Sequence, residues 1–184
     1  MQKILKTNRL TLIPLSEEHF DYQYQLDSNA DVMAFLHGPR NRQTCREELS
    51  QFIDSASRGL GYWVGFVNGA FAGYWILCVP EIYVDNAAGE LGYRLLPEFW
   101  RQGLAKEGAA ELLRYGFENL GLERIYAFTA VSNQASRATM QSVGMAFVKD
   151  FVVELDDWPV GADRDGVEYL ITSDEWSHTV KQNC

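Results

Sequence analysis

One stretch constrains this 184-residue chain more than any other, and it runs from Glu90 to Leu120. Glu90-Leu-Gly-Tyr-Arg-Leu-Leu96 is rich in apolar residues and reads as a strand. From Leu104 to Leu120, apolar or small residues fall at Ala105, Ala109, Leu112, Leu113, Gly116 and Leu120, the spacing of one helical face. Between strand and helix lies a short loop, Pro97-Glu-Phe-Trp-Arg-Gln-Gly-Leu-Ala-Lys106. A loop that opens a helix presents unpaired N–H groups and the positive end of the helix dipole, a combination that binds phosphate. Gly103 lets a ligand approach the backbone, having no side chain in the way. Taken alone, the same residues also read as a plain strand-to-helix turn.

Beyond the helix, Gly121 is placed as a C-cap, and Arg124-Ile-Tyr-Ala-Phe-Thr-Ala-Val131 reads as a buried strand. Strand, helix, strand in that order implies a right-handed parallel crossover. Upstream, Thr7 to Leu15 alternates as a strand, with Pro14 suited to its end. Ser16 is a candidate N-cap for a helix to about Asp27, and Asp31 to His37 reads as another helical turn or two. Thr44-Cys-Arg-Glu47 has the form of a capping box ahead of an apolar face at Leu49, Phe52, Ile53 and Ala56. Asn68-Gly69 joins two aromatic and β-branched runs, Gly61 to Val67 and Ala70 to Leu77, as a hairpin turn. Downstream, Asn133 to Ser136 opens a helix that Gly144 closes. Strands follow over Met145 to Val148 with Phe151 to Leu155, and over Val167 to Thr172. The polar stretch Asp156 to Asp165, with its Gly and Pro, reads as the most mobile loop. The order predicts an α/β (α+β) fold, a mixed central sheet with helices on both faces, in a single domain over residues 1–184.

Composition excludes several classes of function. A net charge of −9 argues against a general nucleic-acid binder, which needs a basic face. It suits cationic acceptors such as amines, and equally it suits mere solubility. Arg101 and Lys106 beside Gly103 supply local positive charge for an anionic ligand. No apolar run approaches membrane-spanning length and the first residues lack a signal peptide's apolar stretch, so a cytoplasmic protein with no membrane association is expected. Cys45, Cys78 and Cys184, with His19, His37 and His178, are too scattered to suggest a disulfide framework or a metal site. No Gly-Lys-Ser/Thr follows the loop, which disfavours a P-loop NTPase.

Trp100-Arg101-Gln102-Gly103-Leu104-Ala105 resembles motif A of the GCN5-related N-acetyltransferase (GNAT) family, Gln/Arg-x-x-Gly-x-Gly/Ala. The glycine and alanine match; Trp100 departs at the first position, as in the RimJ/RimL ribosomal-protein N-acetyltransferase branch. Thr7-Asn-Arg-Leu resembles the Thr-Glu-Arg-Leu opening of that branch. Asn133-Gln-Ala-Ser136, followed by a helix and Gly144-Met145, resembles motif B. The resemblance spans Thr7 to Trp176 and implies acetyl-CoA as co-substrate, without a metal. Its pyrophosphate is expected on the amides of Arg101, Gln102, Gly103, Leu104, Ala105 and Lys106. Asn133 is expected on the pantetheine arm and Ser136 near the sulfur. The bland alternative makes Asn133 an N-cap and Ser136 a first-turn residue. Family members often carry a tyrosine acid in this helix where Met140 stands here, and methionine cannot donate a proton. The first helices are expected to wall the acceptor cleft, with Phe35, His37 and Arg40 as cleft candidates.

An amine attacks a thioester only when uncharged, so a base must take its proton. Glu90 is the carboxylate nearest the cofactor strand and is the candidate base, with Arg94 two positions on along the same face as its candidate partner. A splayed strand end at Leu95 and Leu96 is expected to offer a backbone N–H to the developing oxyanion. Ser136 or water is left as the acid. The expected activity is acetyl transfer from acetyl-CoA to a primary amine, either a protein N-terminus or a small molecule, by a monomer or homodimer. The alternative is a non-catalytic acyl-CoA-binding module.

Overall fold

The computed structural model describes residues 1–80, 83, 85–153 and 164–182. A two-residue strand β1 (Leu5–Lys6) turns tightly into β2 (Leu10–Pro14), so the strand expected over Thr7 to Leu15 begins only at Leu10, with Thr7 to Arg9 forming the turn. Ser16 caps a 3₁₀ turn (Glu17–His19) that runs into α1 (Phe20–Asp27). Residues 30–37 form turns rather than a helix. Helix α2 spans Arg42–Asp54. Its cap is Asn41, whose Oδ1 accepts from the amide of Thr44; the capping box expected at Thr44 lies one turn inside the helix. Strands β3 (Gly61–Val67) and β4 (Ala70–Cys78) form the expected hairpin, with positive φ at Asn68 (49°) and Gly69 (81°). Then come β5 (Ala88–Leu95), α3 (Leu104–Arg114), which ends in a π turn (Tyr115–Asn119), β6 (Arg124–Ala130), α4 (Gln134–Ser142), β7 (Ala146–Val152), β8 (Asp165–Thr172) and α5 (Ser173–Gln182). Most of the Asp156 to Asp165 loop, and the strand residues expected after Val153, lie outside the described residues.

The strands form one mixed sheet in the order β1-β2-β3-β4-β5-β6-β8-β7, antiparallel except where β5 meets β6. Alternation along the strands gives the sheet two apolar faces and therefore two cores. On one face Trp63, Trp75, Leu77, Leu91 and Leu95 pack against Leu104, Leu112 and Leu113 of α3 and Met140 of α4. On the other, Val64, Tyr74 and Leu96 pack against Phe20 and Leu26 of α1 and Cys45 and Leu49 of α2. Burial of these side chains contributes about 1.5–3 kcal/mol each.

Helix α3 approaches the sheet closely because Gly108 faces β4. The indole of Trp75, fully buried, lies against Gly108 and donates to the carbonyl of Ala105 (3.3 Å). A side chain at Gly108 would overlap that indole. Gly108→Val should therefore destabilise the fold by about 2–3 kcal/mol, read as a lower Tm. An unchanged melting curve would show that α3 can lift off β4 at little cost.

Candidate functional site

Strands β5 and β6 pair in parallel over only three positions each, Ala88–Glu90 with Arg124–Tyr126. Beyond them the two strands diverge, and a wedge opens toward their C-terminal ends. Such a gap between parallel strands is where α/β sheets take ligands. The amide of Leu96 donates to Ala72 of β4 (2.9 Å), so the expected N–H donor at that position is already spent. The same antiparallel alternation turns the amides of Tyr93 and Leu95 away from β4, toward the wedge.

The loop between β5 and α3 closes on itself. The indole of Trp100 donates to the carbonyl of Leu95 (2.7 Å), and Gln102 Nε2 donates to the carbonyl of Glu98 (2.7 Å). Arg101 (φ 57°) and Gly103 (φ 76°) both take the left-handed conformation, which turns successive amides to one side. None of the amides of Arg101, Gln102, Gly103, Leu104, Ala105 and Lys106 donates to another group among the described residues. The helix ladder begins only at Glu107, whose amide donates to Gly103 (3.0 Å). Six aligned donors at the head of an 11-residue helix fit an anion such as a pyrophosphate.

The sequence reading gave this loop no anchor, and the structure supplies one from the far end of the chain. Glu107, in the first turn of α3, accepts from the hydroxyl of Thr7 (2.5 Å), the amide of Arg9 (2.9 Å) and Arg9 Nε (2.6 Å). Arg9 Nη1 in turn donates to the carbonyl of Gln102 (2.8 Å). Thr7 and Arg9 thus tie β2 to the loop through one carboxylate.

Across the wedge from β5 stands α4. Asn133 Oδ1 accepts from the amide of Ser136 (3.1 Å), so Asn133 is an N-cap and retains its Nδ2 as a donor. Met140 is buried in the core, away from any proton-transfer role. In its stead Tyr93 reaches across from β5: its Oη lies 3.2 Å from Ser136 Oγ and donates to the carbonyl of Ser136 (3.1 Å). Burial raises the Tyr93 phenol above its usual value, against the hydrogen bonds from Ser136 and Thr139, so it stays protonated at neutral pH. Tyr93 went unnoticed in the sequence because it reads as one more aromatic residue in a strand.

On the opposite face of β5 stand Glu90, Gly92 and Arg94. Glu90 lies beside Tyr126 of β6, at the mouth of the wedge. Arg94 does not pair with Glu90 as expected. Its Nη1 binds Oδ1 of Asp27 at the end of α1 (2.6 Å), because the α1 face of the sheet places that buried carboxylate directly over it. Burial raises Asp27 above the usual carboxylate range, with Arg94 opposing. Of the cleft candidates, Arg40 joins this group through its amide on the carbonyl of Asp27 (2.8 Å) and an ion pair with Glu48 (3.1 Å), and Phe35 is exposed. Cys45, beneath them, is pushed up to about 11 by burial and is no nucleophile. A second carboxylate that sequence reading missed, Glu168 of β8, is 2% exposed on the same face. It accepts from the hydroxyl of Tyr83 (2.8 Å) and pairs with Lys149 (3.4 Å). Tyr83 stacks on Tyr126 (4.4 Å between centroids), so this side of the face is aromatic. Among the described residues, no group of three or more His, Cys, Asp and Glu side chains could hold a metal ion, and no helix is long and apolar enough to cross a membrane.

The clamp on Glu107 has a pH signature. Partial burial pushes its carboxyl up, but the bonds from Thr7 and Arg9 outweigh this and leave it below its usual 4.5. A depressed folded value stabilises the protein above the ordinary carboxylate range and ceases to do so as pH falls through that folded value. Glu107→Gln should lose about 1–2 kcal/mol at neutral pH, Arg9 being half exposed. Below about pH 4.5 the Tm of the wild type should converge on that of the variant. A constant gap down to low pH would overturn the assignment.

Comparison with known proteins places this geometry. The family model for the acetyltransferase (GNAT) domain matches residues 9–146. The chain is 38% identical to the FsC-acetyl coenzyme A-N(2)-transacetylase of Aspergillus fumigatus over 95% of its own length and 78% of the relative's. A GNAT-family acetyltransferase from Bacillus anthracis superposes with a TM-score of 0.79 at 21% identity, covering 94% of this chain and 99% of the other. RimL, a ribosomal L7/L12 alpha-N-protein acetyltransferase solved with coenzyme A, superposes with a TM-score of 0.80 at 21% identity, over 94% and 99%. At that identity the two structures show a shared fold. With the family model spanning most of the chain and the transacetylase similar over nearly all of it, the chain belongs to the GNAT acetyltransferases, a family that uses acetyl-CoA, and is an N-acetyltransferase.

Proposed function

We propose that this N-acetyltransferase acts on a small-molecule primary amine. The observation that carries this reading is the 38% identity to a transacetylase named for an N(2) acceptor, sustained over 95% of the chain. The likeness to RimL, at 21%, extends to the fold alone. That the relative is a transacetylase also weighs against a non-catalytic binding module.

In this reading the six amides of Arg101 to Lys106 hold the pyrophosphate of acetyl-CoA, and Asn133 Nδ2 holds the pantetheine arm. The amides of Tyr93 and Leu95 face the thioester carbonyl as it gains negative charge. The amine arrives from the α1 face and gives its proton to Glu90, directly or through water, and its nitrogen bonds the carbonyl carbon as the C–S bond breaks. The departing sulfur takes a proton from the hydroxyl pair of Tyr93 and Ser136, and the second proton that the nitrogen sheds on becoming an amide replaces it by way of solvent. A thiolate with a conjugate acid near ~8.5 leaves readily, so the phenol assists rather than decides.

Mass spectrometry of products from a panel of α-amines, polyamines and N-terminal peptides tests the acceptor class; acetylation of the peptides alone would refute it. Gly103→Val should weaken acetyl-CoA binding by about 1–3 kcal/mol in calorimetry. Glu90→Gln should lose kcat most near neutral pH and recover part of it as pH rises and the amine deprotonates unaided. Tyr93→Phe should lower kcat severalfold with little change in the KM for acetyl-CoA. Wild-type kcat in Glu90→Gln at every pH would leave water as the base.

A further inference from the structure

The face of β5 that carries Glu90 and Arg94 has no side chain at its centre, where Gly92 is half-buried. The nearest atoms to a Cβ placed there belong to Ile76 of β4, at 3.4 Å and beyond, an ordinary contact distance. Gly92 therefore floors a shallow slot, with Glu90 and Arg94 each about 6.6 Å away along the strand. The slot lies past the last paired residues of β5 and β6, so it borders the wedge, and the amides of Tyr93 and Leu95 line the wedge beside it. Arg94 is held at one end. Its Nη1 is fixed by Oδ1 of Asp27 (2.6 Å) and lies 3.6 Å from Sδ of Met33, while its guanidinium rests near the ring of Tyr74 (5.9 Å to the centroid). Its Nε and Nη2 make no hydrogen bond among the described residues and are not sealed from solvent, the side chain being 14% exposed. Around it, the buried hydroxyl of Tyr74 stands without a hydrogen-bond partner, and Oδ2 of Asp27 makes no hydrogen bond of ordinary geometry, although the Gln23 side chain lies close enough to Asp27 to favour its charge. Native interiors rarely leave such groups unpaired, and each instance calls for a reason.

We infer that Arg94, positioned by Asp27, recognises a carbonyl oxygen of the acceptor next to its reactive amine, and that the acceptor class is an α-amino amide or ester. The amine sits over Gly92, between Glu90 and the wedge, and the carbonyl oxygen accepts from the two free nitrogens of Arg94. The oxygen is that of a neutral carbonyl rather than a carboxylate. Asp27 already balances the charge of Arg94, and Glu48 and Glu90 add negative charge nearby. A planar guanidinium fixed at one nitrogen offers its remaining donors in a set direction, which ammonium cannot do. The inference rests on the small-amine reading above.

The test compares norleucinamide, norleucine and pentylamine, the last being the same chain without the carbonyl carbon. For the wild type, kcat/KM calculated per uncharged amine should be at least tenfold higher for norleucinamide than for pentylamine, with norleucine between or below them. In Arg94→Gln that ratio should collapse toward one, with the KM for acetyl-CoA unchanged. Asp27 would then be buried without its counter-charge and the variant could fail to fold. The double variant Asp27→Asn/Arg94→Gln removes both charges and should show the same collapse. A purely structural ion pair would lower activity toward all three amines alike and leave the ratio intact. Equal rates for amide and alkylamine in the wild type, or a ratio that survives in the double variant, overturn the inference. So does turnover of other small amines with none of these three, which would leave the small-amine reading standing. Failure of every small amine in the panel strikes that reading itself, and this inference with it.

Discussion

The short parallel contact between β5 and β6 is the constraint on which the site depends. Three residues on each strand keep the sheet continuous; a longer pairing would close the wedge, and a shorter one would let the halves of the sheet separate. The strands diverge where Tyr93 and Leu95 turn their amides to the gap, and each half then carries its own support. On the β5 side the support is β4, down to the bond between Leu96 and Ala72. On the β6 side it is β8, paired from Arg124 to Ala130. On the face covered by α3 and α4, Tyr93 bridges the opening by reaching to Ser136 of α4.

Two carboxylates hold the machinery by opposite electrostatics. Glu107 is partly exposed and well supplied with donors, so its charge is favoured and it ties the start of α3 and the loop before it to the N-terminal strand. Asp27 is sealed in the α1 face, where burial outweighs the support of Arg94, Gln23 and Arg40 and works against its charge. The first arrangement stabilises the fold. The second costs stability, as buried ion pairs commonly do, and fixes a guanidinium on the face of β5 that carries Glu90.

The sequence by itself determined the glycine-bearing loop before α3, the helix behind it and the crossover, because each rests on local chemistry. Gly103 adopts a backbone that side chains resist, the spacing of Leu104, Leu112 and Leu113 makes a helical face, and Asn68-Gly69 forms its turn without outside help. Asn133 and Ser136 were legible for the same reason, as neighbours within one helix start. What only the tertiary structure decided are the partnerships between segments far apart in the chain. Arg94 reads on the strand as a neighbour of Glu90, but it answers to Asp27, 67 residues away. Arg9 and Glu107 meet across 98 residues, Tyr93 and Ser136 across 43, and Tyr83 and Glu168 across 85. Local patterns report which face of an element a side chain takes. Which charge lies opposite depends on how the sheet stacks against its helices, and no short-range spacing carries that information.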